Sequence, residues 1–280
     1  MHKKNNLKDS DEQPVDKEIE VLSKNHKPKS NMSFTGHLEE LRQAIIISAF
    51  SLTISSSLCF YYYKQLLDLL TAPLTDNVKN VELVFLSPGE AFMATVRVAI
   101  IVGLIFALPI ILNRIYWFIA PGLTKEEKHF SLPIITLSYF LFLIGIVFSY
   151  KLLLPFGVKF LVEFAPSNIH AMISIGNYIS FSSSLLLGTG LIFELPLVLL
   201  FLAFINIVSV KLLKKYRRHA FLGSFIIGAI ITPSVDMITQ ALLAGALYAL
   251  YEISIIAIGT LESGRRKKIK NKSINKSINK

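Results

Sequence analysis

The chain reads as an all-α, polytopic membrane protein with six helical crossings, and three observations predict this. Of its 280 residues 52% are apolar and only 17% charged, with a mean hydropathy of +0.54, a balance foreign to soluble domains of this length. The apolar residues collect in runs long enough to cross roughly 30 Å of hydrocarbon. The basic residues collect between those runs, mostly in alternate loops, as they do where loops stay on the cytoplasmic side.

The spans are Ala44 to Tyr63, Val98 to Ile119, Leu132 to Tyr150, Ile179 to Ile205, and then two stretches, His219 to Ile231 and Ile238 to Ile258. The last two are separated only by the turn Thr232-Pro233-Ser234-Val235-Asp236. His219 to Ile231 is short for a crossing and needs a thinned bilayer or partners. Six crossings put both termini on one side, and 24 of the 29 Lys and Arg residues fall on that side; the other holds Lys64, Lys79, Arg97, Lys151 and Lys159. The net charge of +10 is therefore a topology signal and an attraction to anionic membrane lipids. No RNA-binding motif or stacking pattern accompanies it, so nucleic acid is not an expected partner.

Residues 1–32 mix Lys with Asp and Glu, are rich in Asn and Ser, and lack apolar periodicity, the composition of a disordered charged arm. The arm has no Arg and no apolar core, so it fits neither a transit peptide nor a secretory signal. A membrane domain over 33–260 follows, and then a basic, disordered tail over 261–280 that ends in KSINKSINK. The single cysteine, Cys59, excludes an intrachain disulfide and offers no metal cluster. No H-E-x-x-H, P-loop or G-x-S-x-G occurs, so neither enzyme chemistry nor a cofactor is expected.

The informative residues are acids at membrane depth or at its edge. Glu194, in GLIFELPLVLLF, has no basic neighbour in sequence; a carboxylate at mid-bilayer costs about 2.5–3.5 kcal/mol on insertion scales, so such groups face a cavity or a partner helix. Pro196 weakens the helix beside it, and together they predict a polar notch. An interhelical hydrogen bond is the plainer account. Glu252 lies near the basic side, where a structural ion pair or hydrogen bond suits it. Asp236 can cap the last helix or take part in recognition, and both stay open.

At the start of the first span stands HLEELR, His37 to Arg42. Helical spacing puts Leu38, Leu41 and Ile45 on one face and lets Glu39 pair with Arg42, leaving Glu40 without such a partner. By itself this is an ordinary amphipathic entrance. On the same side, WFIAPGLTKEEKHF turns at Pro121-Gly122, and Thr124 with Glu127 has the spacing of a capping box.

Taken in order, HLEELR, APL at 72–74, SPGEAF at 87–92, FIAPGLTKEE at 118–127, FELP at 193–196, and TP followed by Asp236 and Thr239-Gln240 closely resemble the TatC family, the signal-receptor core of the twin-arginine protein translocase. The resemblance covers residues 33 to about 260. It implies six helices in a cupped-glove arrangement, with both termini cytoplasmic or stromal. It further implies that Glu40 and Glu127 receive the two arginines of a substrate's signal peptide, with Glu39, Arg42, Phe118 and Pro121 in the same binding motifs. Glu194 would face the concave membrane side and a partner's membrane helix; Pro73, Glu90, Asp236 and Glu252 complete the family positions. The implied partners are single-span proteins of the TatA and TatB kinds and folded precursors, in an oligomeric complex driven by the proton gradient. Asn113-Arg114, His129 and the extra residue in TPSVD depart from the common bacterial pattern. SPGEAF, TPS-x-D and the usage rich in Lys, Asn and Ile resemble the cyanobacterial and plastid branch, so a thylakoid membrane is favoured over a bacterial inner membrane.

The arginine requirement has a physical basis, because each guanidinium can bind a carboxylate bidentately and a lysine cannot. Two charge-assisted pairs at about 1.5–3 kcal/mol each give only weak affinity, so the signal's apolar segment must add to it. A different class, a proton-coupled small-solute transporter using Glu194 and Glu252, explains the acids but not HLEELR.

Overall fold

The computed structural model describes residues 34–78, 81–119, 131–164, 171–232 and 236–278. The chain divides into two units, Met1–Gln43 and Ala44–Lys280. The expected N-terminal arm and most of the 118–127 motif lie outside the described residues.

The described chain is mainly helical. Helix α1 is Phe34–Tyr61 and α2 is Tyr63–Thr75; α3 is Glu90–Ile119. The third span is one helical run in three parts: α4 (Ser131–Phe148), a wide π turn (Ser149–Leu153) and α5 (Leu154–Glu163). Then come α6 (Ile175–Phe193), α7 (Leu195–Phe204), α8 (Val210–Lys215), α9 (Arg217–Ile231) and α10 (Met237–Ile278). Among the described residues five helical stretches are long and apolar enough to cross a membrane: Gly36–Tyr61, Glu90–Phe118, Pro133–Glu163, Ile175–Phe204 and Met237–Gly264. The segment expected as the fifth of six crossings is α9, whose 15 residues reach about 22 Å at 1.5 Å per residue and fall below that length.

Three differences from the sequence reading have physical causes. The third span runs on to Glu163 rather than ending at Tyr150, because the π turn absorbs Pro155: the Leu154 N–H reaches back five residues to the Ser149 carbonyl, and the helix resumes. The helical backbone of α10 continues to Ile278, where an irregular tail is expected from 261; a running helix adds residues without a new nucleation cost.

The third difference is a small sheet in an otherwise all-α chain. Strands β1 (Glu82–Val84) and β2 (Met172–Ser174) pair in parallel, with Glu82 opposite Met172 and Val84 opposite Ser174. Both segments are too short to show an alternating pattern in sequence. Their pairing requires the loop before α3 and the loop before α6 to lie on the same side, which agrees with two crossings between them.

In the larger unit α6 packs against α3 and α4, and α10 against α7 and α9. The main core gathers Leu74, Val98, Leu153, Leu154, Ile179, Leu185 and Leu243, all close to fully buried. Without a hydrophobic force between helices in lipid, close approach depends on small residues. At the α4–α6 crossing a Cβ on Gly190 would stand 2.6 Å from Phe142 Cε2, and one on Gly145 3.0 Å from Gly190 Cα. A second cluster of Leu213, Tyr251, Ile255 and Ile258 ties α8 to α10.

Candidate functional site

In the N-terminal unit, HLEELR forms the first turns of α1. Arg42 Nη1 stands 3.3 Å from Glu39 Oε2, the pairing its spacing predicts. Glu40 is not left alone, as the spacing argument had it: His37 Nδ1 lies 3.7 Å from Glu40 Oε2, an i, i+3 contact that is an ion pair only when the imidazole is protonated. Glu40 Oε2 is itself shielded and accepts no hydrogen bond among the described residues. Leu38, Leu41 and Ile45 are exposed. Phe118 is one residue short of the end of α3, and Pro121 and Glu127 lie outside the described residues.

Glu194 sits at the break between α6 and α7, just ahead of Pro196, so the fourth span is interrupted at the acid itself. Ser138 Oγ on α4 donates to Glu194 Oε2 at 2.6 Å. The other oxygen, Oε1, is shielded and has no hydrogen-bond partner among the described residues. The notch is thus half satisfied: one carboxyl oxygen is held by α4 and the other is buried without a donor among the described residues.

Glu90 is treated very differently. It is the first residue of α3, and its Oε2 accepts from the Leu86 N–H at 2.6 Å. Its Oε1 accepts from the Gly176 N–H at 2.9 Å and from the Ser174 hydroxyl. Ser174 Oγ also accepts from the Asn177 N–H at 3.2 Å and so caps α6. One carboxyl therefore closes the turn before α3 and the start of α6, directly beside the paired strands.

Pro73 stands inside α2 and has no N–H for the Leu69 carbonyl four residues earlier. Tyr150 on the π turn replaces it, its hydroxyl donating to Leu69 O at 2.7 Å, while Tyr178 donates to the Leu70 carbonyl at 2.9 Å. The APL motif is thereby fastened to the third and fourth spans. Asp236 is buried and its Oδ1 accepts from the Thr239 N–H at 2.6 Å, the capping geometry for α10. Glu252 pairs with Arg217 Nη2 at 2.7 Å and accepts from the Tyr248 hydroxyl at 3.1 Å.

Sequence reasoning alone missed the partners. Ser138, Ser174, Gly176 and Arg217 lie between 35 and 86 residues from the acids they serve, and no local pattern marks them. Tyr150 did have a signal: a proline inside a helix predicts an orphan carbonyl four residues back, and so a donor somewhere to meet it.

A family model for the Sec-independent protein translocase protein TatC matches residues 36–245. The chain belongs to the TatC family. Similar TatC relatives include a Sec-independent protein translocase protein TatC from Carboxydothermus hydrogenoformans, 41% identical over 240 residues that make up 84% of this chain and 98% of that one. A chloroplastic TATC from Oryza sativa subsp. japonica is 40% identical over 220 residues, 79% of this chain and 61% of the rice protein. A crystal structure of the twin-arginine translocase receptor TatC superposes with a TM-score of 0.71 at 37% identity, covering 81% of this chain and 99% of that one. The protein is accordingly a multi-pass integral membrane protein of a translocase family, with relatives in chloroplasts and bacteria.

Proposed function

We propose that this chain is the signal-receptor core of a twin-arginine translocase, binding the signal peptides of folded precursors and helping to carry them across the membrane with the proton gradient. The observation that carries this reading is the likeness, at 37% identity and over nearly the whole of the other chain, to the twin-arginine receptor. Glu40 and Glu127 take the two signal arginines, within motifs that also hold Glu39, Arg42, Phe118 and Pro121. The His37 contact supports Glu40 over Glu39 in this role, because Glu39 already has a permanent cation in Arg42. Glu194 Oε1 receives a polar side chain from the membrane helix of a partner of the TatA or TatB kind, within an oligomeric complex. The α9 segment counts as a sixth, short crossing and leaves both termini cytoplasmic or stromal. A plastid thylakoid is the favoured membrane, in keeping with the chloroplastic relative. Nothing in the geometry favours the solute-transporter reading: Glu252 is occupied by Arg217 and Tyr248.

The test is site-specific crosslinking of a twin-arginine precursor in membranes that carry the chain. Glu40→Ala and Glu127→Ala are each expected to reduce the crosslink about tenfold or more, on the scale of one lost charge-assisted pair. A twin-lysine precursor should fall as far with the unaltered chain. Unchanged crosslinking in both variants overturns the assignment.

A further inference from the structure

From α8 to the first turn of α9 the chain carries five cations, Lys211, Lys214, Lys215, Arg217 and Arg218, and among the described residues only Arg217 meets a carboxylate, while Lys215 lies 6.0 Å from the centre of the Tyr216 ring. Arg217 is spent on Glu252, whereas among the described residues no carboxylate lies within ion-pair distance of Lys211, Lys214, Lys215 or Arg218, and all four are exposed. Lys211, Lys214 and Lys215 share one face of α8, and Arg218 follows the break at Tyr216, in the first turn of α9. Leu212 and Tyr216, 41% and 46% exposed, lie beside these cations. The third side faces inward: Leu213 is buried against Tyr251, Ile255 and Ile258.

This segment is also held rigid. The Tyr251 hydroxyl donates to the Leu213 carbonyl at 2.8 Å, the Val210 N–H donates to Glu262 Oε1 at 3.0 Å, and the Arg217–Glu252 pair closes at 2.7 Å. Three ties to one membrane helix present the cations in a fixed array, which lowers the ordering cost of binding. The array stands where the short helix α9 begins. At about 22 Å, α9 falls roughly 8 Å short of the hydrocarbon thickness, so headgroups must come inward to meet it. Cations at its first turn, flanked by an exposed leucine and tyrosine, are the side chains that draw anionic headgroups to that depth.

We propose that the exposed face of α8 and the start of α9 is a seat for anionic lipid headgroups, phosphate or sulfonate, which stabilises the bilayer around the short helix. A lipid is favoured over an acidic protein segment because the cations alternate with exposed apolar side chains at the bilayer's edge. The proposal does not depend on signal recognition, and its assay contains no precursor.

The experiment is native mass spectrometry of the full chain from mixed micelles of phosphatidylglycerol and phosphatidylcholine. Three variants accompany it: K211Q/K214Q/K215Q/R218Q, the milder K211Q/K215Q, and K267Q/K268Q/K270Q/K272Q, which removes the same charge from the tail. The unaltered chain is expected to retain phosphatidylglycerol in preference to phosphatidylcholine. The quadruple loop variant should lose that preference at least fivefold and the double variant about half as much, with the tail variant staying within twofold. Melting temperatures in phosphatidylcholine alone check that each variant is folded, and the double variant carries the test should the quadruple one fail. Three results would overturn the proposal: retention by the loop variants, equal loss in the tail variant, which would mean net charge alone, or displacement of the lipid by millimolar inorganic phosphate, which would mean a soluble-anion site.

Discussion

Glu90 and Glu194 are both carboxyls next to helix breaks, and the fold spends them in opposite ways. Glu90 accepts three hydrogen bonds from two separate loops, using both oxygens. Glu194 accepts one, from Ser138, and keeps a shielded oxygen without a partner. A buried acceptor left unpaired costs about 1–3 kcal/mol. Under the proposed reading that cost is offset when a partner's polar side chain meets Glu194 Oε1.

Disrupting the packing beneath the Glu194 site should have the largest effect. Gly190→Leu drives a side chain into Phe142 at the α4–α6 crossing that carries both Ser138 and Glu194, and overpacking of this kind costs about 1–3 kcal/mol or more. The expected outcome is a sharp fall in monodisperse yield and melting temperature in detergent. Next comes the comparison itself. Glu90→Ala should lower the melting temperature clearly, with Glu90→Gln in between because one acceptor oxygen survives. Glu194→Leu should lower the melting temperature less than Glu90→Ala, since only the Ser138 bond is lost, and reduce precursor transport at least tenfold, while Glu194→Gln keeps transport within about threefold because an amide still donates and accepts. Equal melting-temperature losses for Glu90→Ala and Glu194→Leu would erase the distinction, and so would wild-type transport by Glu194→Leu.

The smallest effect belongs to Tyr150→Phe, which removes the donor to the Leu69 carbonyl. About 0.5–1.5 kcal/mol is expected from denaturant or thermal unfolding. In a Pro73→Ala background the helix regains its own N–H for that carbonyl, so the same change should cost less. A double-mutant cycle measures the difference, and full additivity would show that Tyr150 does not stand in for the missing proline N–H.

Much of this was legible in the sequence, for reasons that differ from one residue to the next. Span positions follow from the length of apolar runs, and Glu39–Arg42 follows from helical spacing alone. The break at Glu194 could be anticipated because an acid and a proline two residues apart both disfavour an unbroken membrane helix. The polar notch is there, but its donor, Ser138, belongs to another span, and many serines occupy such spans without a partner acid. The strands could not be read, since three residues in each of two loops carry no periodicity. The His37 contact to Glu40 has the same three-residue spacing as Glu39–Arg42, and a reading confined to permanent cations passes over it.

The parallel pairing of β1 with β2 has a consequence for how the chain enters its membrane. The two strands are separated by the whole of α3, α4 and α5, so the pair can close only after both intervening segments have crossed and returned. Had either failed to cross, or crossed the wrong way, Val84 and Ser174 would lie on opposite faces of the bilayer and could never meet. The clasp on Glu90, which follows Val84 in the chain and bonds Ser174 itself, is therefore available only to correctly threaded molecules, and a mis-inserted chain would be left with two loose loops open to proteolysis.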